Sequence, residues 1–201
     1  MQNSIIFPLF YMGPISYFSA LKSFDSAVVL ERYEHFPKQT FRNRCTIASP
    51  NGRLDLIVPV VKGSKSVLPY KDVRISKEWN WQRLHWLSLQ NCYRSSAYFE
   101  YYEDELRVFY QHRFDFLFDF NLQLQEWIGG KLKLNTEILL SDGYYPNQYQ
   151  SDFRDSFTKK IIPETETKPY FQVFDDKTGY LKNLSIIDLL FNQGPQSKHF
   201  L

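Results

Sequence analysis

Cysteine is scarce: the 201 residues contain two, Cys45 and Cys92. They form no CxxC pattern, which argues against a thiolate zinc site, and nothing in their spacing favours a disulfide. Long apolar runs are missing. No stretch reaches the roughly 18 residues that a membrane-spanning helix needs. The opening Met-Gln-Asn-Ser-Ile has neither a basic segment nor an apolar core of the kind that directs export. The expectation is a cytoplasmic protein with reduced thiols and no membrane span. Charge of one sign is also lacking. With 24 basic and 22 acidic side chains the net charge is +2, short of the excess expected of a nucleic-acid binder. A small phosphate-bearing molecule is the expected anionic partner. Common catalytic and nucleotide-binding fingerprints are absent too: there is no GxGxxG, no Walker A sequence, no GxSxG elbow and no HExxH helix.

Aromatic residues, by contrast, are abundant. Fourteen Tyr and eighteen Phe raise the aromatic share to 18%, so rings build most of the core and any pocket. Hydrophobic residues at 43% and charged residues at 23% are ordinary for a globular chain. The length suits one domain spanning 1–201.

Apolar residues 5–10, unbroken by polar alternation, predict a strand covered on both faces. Gly13 and Pro14 break it, residues 15–24 carry Tyr17, Phe18, Leu21 and Phe24 at helical spacing, and 27–30 read as a second strand. Such a unit predicts a parallel pair joined by a crossover helix. Asn51-Gly52, between apolar segments 46–47 and 54–61, predicts a hairpin. Residues 62–69 read as a polar loop, and 73–75 as a short strand. Helices are expected from Trp79 onward, over 100–110 and over 115–128, the last stopped by Gly129-Gly130. Residues 132–140 read as strand or connector, 141–169 as loop, and 170–174 as a strand. A final helix over 183–192 has Ser185 as its cap and Asp188 near its positive end. The fold class is therefore α/β: a Rossmann-like β-α-β start, a mixed sheet and a largely helical second half.

Four blocks carry a resemblance. They are Phe7-Pro8-Leu9-Phe10-Tyr11-Met12-Gly13-Pro14-Ile15-Ser16-Tyr17-Phe18 with Asp25 and Val28-Val29; Glu34-His35-Phe36-Pro37-Lys38-Gln39-Thr40-Phe41-Arg42-Asn43-Arg44 with Asn51-Gly52 and Leu56-Ile57-Val58-Pro59-Val60; Trp81-Gln82-Arg83-Leu84-His85 with Tyr93 and Tyr98-Phe99; and Leu184-Ser185-Ile186-Ile187-Asp188-Leu189-Leu190-Phe191-Asn192-Gln193-Gly194-Pro195. Their succession resembles the WbqC-like family of bacterial proteins. One departure is Ala97, where the family usually has proline. The resemblance implies a role in surface-polysaccharide (O-antigen type) biosynthesis. The expected activity is group transfer onto a nucleotide-linked amino sugar; the alternative is a non-catalytic binding or scaffold protein of the same pathway. It implies no particular cofactor.

The candidate substrate-binding residues are Lys38, Arg42, Asn43 and Arg44. If the segment is extended, Arg42 and Arg44 share a face and grip a phosphate or carboxylate, while Asn43 points the other way. The plainer reading is a solvated edge strand whose charges discourage aggregation. His85, on the Trp81 helix, is the candidate catalytic acid or base; its plainer reading is a half-buried histidine with one hydrogen bond. His35, His112 and His199 read as surface or structural residues. Asp115 and Asp119, four apart, read as acids of a solvated face rather than a metal site. Both roles of the candidate set require His85 and the arginine pair to meet in one hollow.

Overall fold

The computed structural model describes residues 5–24, 26–61, 68–158 and 168–201. Asp25, most of the expected 62–69 loop and part of the 141–169 segment lie outside these. Ile5–Pro8 forms β1, Ile15–Lys22 forms α1 and Val28–Glu31 forms β2. β1 and β2 pair in parallel, Ile5 against Val28. Phe7 shows why β1 carries no polar alternation: fully buried, it stacks on Phe153 at 4.5 Å and meets Tyr17 edge-on at 5.8 Å.

Arg44–Ser49 and Gly52–Ile57 are β3 and β4, an antiparallel hairpin turned at the Asn-Gly pair, with Gly52 at φ +101°. Residues 73–75 form no strand and contribute only isolated bridges from Arg74 and Ile75. Three helices follow: α2 (Trp81–Tyr93), α3 (Phe99–Gln111) and α4 (Leu117–Leu132). Ile138–Leu140 (β5) and Ser151–Asp152 (β6) complete a four-stranded parallel sheet in the order β5-β2-β1-β6. The expected mixed sheet is not formed as one sheet: these four strands are all parallel, and the antiparallel pairing is confined to the separate hairpin. From β1 the chain moves one way to β2 and β5, then returns to the far side for β6. The order therefore reverses between β1 and β6, and in open α/β sheets ligands bind beside the carboxyl ends of the strands at such a point.

A short turn of helix, α5 (Asp175–Thr178), precedes α6 (Ile186–Gln193). α6 is buried on all sides: Ile186, Ile187, Leu189, Leu190 and Phe191 expose nothing. Each such side chain contributes about 1.5–3 kcal/mol. The lead-in to α6 is stitched by backbone bonds to both neighbours, Ile15 N–H to Leu184 C=O and Ser185 N–H to Thr46 C=O. Ser185 caps the helix as expected, accepting from Ile187 N–H.

Two of the following expectations fail for identifiable reasons, and the third, Asp188 in the first turn of α6, is met with an addition. Gly129-Gly130 does not end α4. The helix runs on to Leu132, and Lys133 takes the left-handed position (φ 52°), so that the N–H groups of Lys133 and Leu134 bond the Gly130 and Gly129 carbonyls. Residues 170–174 are not a strand. The buried Gln172 carboxamide bonds both Leu181 N–H and Leu181 C=O, replacing a ladder partner. Asp188 does more than face the helix dipole. It is fully buried, and its two oxygens accept from the Tyr93 and Tyr170 hydroxyls, each at 2.6 Å. Tyr93 in turn accepts from Ala48 N–H of β3. Desolvation outweighs the donors from Tyr170, Tyr93 and Asn192, and Asp188 is pushed up to about 6.

Two measurements test these local readings. Gly129 lies inside a helix with open space where a Cβ would stand, whereas a Cβ on Gly194 would meet the Tyr98 ring at 2.4 Å at φ +53°. Thermal or urea unfolding should find Gly129→Ala more stable by about 0.5–1 kcal/mol and Gly194→Ala less stable by about 1–3 kcal/mol or more. Asp188 favours its proton more strongly in the fold than in the unfolded chain, where it has its ordinary value near 3.8. Its contribution to stability is therefore complete below that value and is lost as pH rises through about 6. Urea titrations from pH 4 to 7 should show wild type losing up to about 3 kcal/mol relative to Asp188→Asn over this range.

Candidate functional site

The carboxyl ends of the parallel strands carry the largest concentration of buried charge. Glu31 ends β2 and is fully buried. One of its oxygens accepts from Tyr33 N–H (2.7 Å) and from the Ser141 hydroxyl just beyond β5 (2.9 Å). The other receives Arg154, two residues past the end of β6, at 3.2 Å. Arg154 also forks onto Asp152, and its guanidinium lies over the Tyr144 and Tyr149 rings at 4.9 and 5.8 Å. Next to this, Arg42 donates through Nε and Nη2 to the two oxygens of Glu34 at 2.5 and 2.7 Å. The same Nη2 reaches the Arg154 carbonyl at 3.2 Å, joining the two ion pairs into one network.

The electrostatics follow from burial. Desolvation raises Glu34 above the usual carboxylate range despite Arg42. Asp152 is held below it, chiefly by its hydrogen bonds from Arg154. Asp152 therefore stays an anion, and with 39% of its side chain exposed it is where the network meets solvent. The exposed Tyr144 and the half-buried Tyr149 lie against the Arg154 guanidinium that pairs with it, and the half-buried Tyr33 lies against Arg32.

Residues 38–43 form two consecutive turns, and the strand begins only at Arg44. The alternation that would set Arg42 beside Arg44 is therefore broken. Arg42 turns inward to Glu34, and its carbonyl is fixed by Asn121 Nδ2 at 2.7 Å. Arg44 points toward Asp55 at 4.0 Å. Asn43 is buried, its side-chain amide donating to the Val58 carbonyl at 3.0 Å. Lys38 is exposed on the turn, ahead of Gln39 at φ 61°. The side-by-side pair of free guanidinium forks expected from an extended segment is not formed.

His85 is 6% exposed and part of a hydrogen-bonded chain. Its Nδ1 lies 2.9 Å from the Tyr11 hydroxyl, and that hydroxyl lies 2.8 Å from the Tyr110 hydroxyl. The remaining ring N–H faces the Ile57 carbonyl, and Trp81 packs edge-on at 5.1 Å. Burial lowers the imidazole to about 4, so it is neutral at pH 7. In a neutral ring, Nε2–H donates to Ile57, Nδ1 accepts from Tyr11, and Tyr11 accepts from Tyr110. The structure brings His85 and Asn43 to neighbouring carbonyls, of Ile57 and Val58, while the Arg42 and Arg44 guanidiniums leave toward Glu34 and Asp55.

Three surface hollows are lined by other residues. Two adjoin along Ile75–Glu78, with volumes near 470 and 410 Å³. The third, near 290 Å³, is lined by Phe41, Thr46, Arg53, Asp55, Thr158, Lys182 and Asn183. Among the described residues no cluster of His, Cys, Asp and Glu has a metal-binding arrangement, and no helix is long and apolar enough to cross a membrane. Both cysteines are buried.

A mostly parallel sheet packed with helices, with a buried acid–guanidinium network at its carboxyl edge, makes this an α/β protein. The sequence agrees with one family over most of its length: residues 10–172 match the model of the WbqC-like protein family, and the chain belongs to it. No curated protein and no solved structure matches the chain.

Sequence reasoning quoted Glu34 and Asp188 without giving either a partner, and it missed Glu31, Asp152 and Arg154. One usable signal was present: Glu31 ends an otherwise apolar strand. Asp152 and Arg154 stand two apart in a polar stretch with no periodicity.

Removing one member of a buried pair strands the other charge. Arg42→Leu should cost about 3–5 kcal/mol in urea unfolding, and the double variant Arg42→Leu/Glu34→Leu should recover most of that loss. Equal stability of the single and double variants would mean that the ion pair is not what holds this turn.

Proposed function

We propose that the protein is an enzyme of bacterial surface-polysaccharide biosynthesis that transfers an acyl-type group onto the amine of a nucleotide-linked amino sugar. The observation that carries this reading is the network at the carboxyl edge, where three carboxylates, Glu31, Glu34 and Asp152, share two guanidiniums, Arg42 and Arg154. The nearby Arg32 guanidinium is directed to the Ser141 carbonyl and Tyr33 instead. Planar carboxylates and guanidiniums pair with sugar hydroxyls through two hydrogen bonds at once, and tyrosine rings cover the apolar face of a pyranose.

In this reading Asp152 holds the amino group. Because Arg154 keeps Asp152 anionic, it orients the amine as a hydrogen-bond donor and does not retain its proton. The amine attacks the activated carbonyl of the donor, the donor's leaving group departs, and the amine's proton is released to solvent at the exposed side of Asp152. Arg42 and Glu34 act as positioning residues by fixing the Arg154 backbone. Lys38, exposed on the neighbouring turn, is available to an anionic part of the substrate. No step is assigned to His85, whose two nitrogens are engaged inside the fold.

Saturation-transfer NMR and calorimetry with nucleotide-linked amino sugars test the reading. Wild type should bind, and Asp152→Asn and Tyr144→Ala should each weaken binding by about tenfold, the effect of losing a charge-assisted bond or a ring contact. With an activated acyl donor present, mass spectrometry should detect the N-acylated sugar. Binding without turnover against a panel of acyl donors would favour the scaffold alternative, and unaltered binding by Asp152→Asn would remove the site.

A further inference from the structure

We infer that the hollow on the outer face of the hairpin is an anion site that holds the phosphate or diphosphate of a small-molecule ligand. The inference rests on the preceding reading only for the suggestion that this phosphate belongs to the same substrate. Its own support is geometric. Thr46 lies on β3, and Arg53 and Asp55 lie on β4; Thr46 faces Asp55 across the ladder and Ala48 faces Arg53. These residues line the hollow with Phe41, Thr158, Lys182 and Asn183, around a volume near 290 Å³. That volume suits a diphosphate and leaves a nucleoside or sugar outside.

The charge in and beside the hollow is unbalanced. Among the described residues, two cations, Arg53 and Lys182, and one carboxylate, Asp55, line it, and Arg44 reaches Asp55 at 4.0 Å. The Asp55 carboxylate also accepts from the Thr46 hydroxyl at 2.6 Å. Arg53 donates to the Lys182 carbonyl at 2.5 Å, which ties the two cationic residues together across 129 positions of sequence. Arg44 Nε is buried and has no hydrogen-bond partner among the described residues. An anion in the hollow would relieve this excess through charge-assisted bonds.

The location agrees. Asn183 lines the hollow and its side-chain oxygen accepts Ser16 N–H in the first turn of α1, the helix that follows β1. Thr158 closes the turn that follows β6, and the Phe41 carbonyl accepts Tyr11 N–H beyond β1. The hollow thus lies beside the carboxyl ends of β1 and β6, where the strand order reverses. The Ser16 N–H is already bonded to Asn183, so basic side chains rather than the helix end supply the donors. The chain runs from Asp152 at the acidic edge to Thr158 at this hollow.

The test uses the full chain with inorganic pyrophosphate and, separately, uridine diphosphate, followed by calorimetry and amide chemical shifts. Pyrophosphate should bind and shift the amides of residues 44–55 and 182–183. Arg53→Ala and Lys182→Ala should each weaken it on the order of tenfold. Both side chains are exposed, so the variants should fold, and circular dichroism checks this. Tighter binding of uridine diphosphate, lost in parallel in the variants, identifies a nucleotide as the source of the phosphate. Equal affinity for the two probes supports the hollow as a site for the phosphate group alone. No binding of pyrophosphate, or binding indifferent to both substitutions, overturns the inference. Pyrophosphate carries no sugar, so that failure leaves the amino-sugar reading untouched, and an effect of Asp152→Asn on amino-sugar binding is judged separately.

Discussion

Two carboxylates, Glu31 and Glu34, remain buried at the carboxyl edge only because guanidiniums reach them from other segments. An ion stranded in so dry a place costs several kcal/mol, whereas a paired one costs little. That asymmetry fixes the turn carrying Arg42 and the segment carrying Arg154 more firmly than their own hydrogen bonds would. β6 depends on it most. Two residues of parallel pairing make a weak edge strand. Arg154 reaches past the neighbouring β1 to Glu31 on β2, so the end of β6 is held to the middle of the sheet by charge as well as by its ladder.

The same physics governs the surroundings of His85. Tyr11, His85 and Tyr110 form one buried chain, and Asp188 gathers Tyr93 and Tyr170 in another. In an interior built from rings, a hydroxyl carried inward is costly unless it meets a partner, and several here do, though the Tyr17 hydroxyl has none among the described residues. A chain with fourteen tyrosines therefore consumes its few buried histidine and aspartate acceptors in packing. The helix and its His85 face were legible from spacing. That the face would close over the imidazole was not, because the closing groups, Tyr11 and the Ile57 carbonyl, come from the loop after β1 and from β4.

Local chemistry was legible where it is decided locally. The Asn-Gly turn, the β-α-β start, the three middle helices and the Ser185 cap each depend on residues within a few positions of one another. The errors arise where distant groups decide. Nothing near residues 170–174 announces that Gln172 will bond Leu181 in place of a strand. Nothing near Gly130 shows that Lys133 will take the left-handed position. The basic block was visible, but the destination of each arginine was not. Glu34 lies eight residues before Arg42 and Asp55 eleven after Arg44, and a turn, not a strand, separates the two arginines.

A net charge of +2 says little about such a molecule, because it does not show how the charges are paired. Among the described residues, three carboxylates share two guanidiniums at the edge, and on the hairpin face the cations outnumber the carboxylate. Holding like charges this close is unfavourable in the empty protein, and each surface would gain from a ligand of the opposite charge. A molecule with a phosphate at one end and an amine at the other would satisfy both at once. Its orientation would be set by charge before any shape is read, which is the requirement for presenting one amine, and no neighbouring hydroxyl, to a donor.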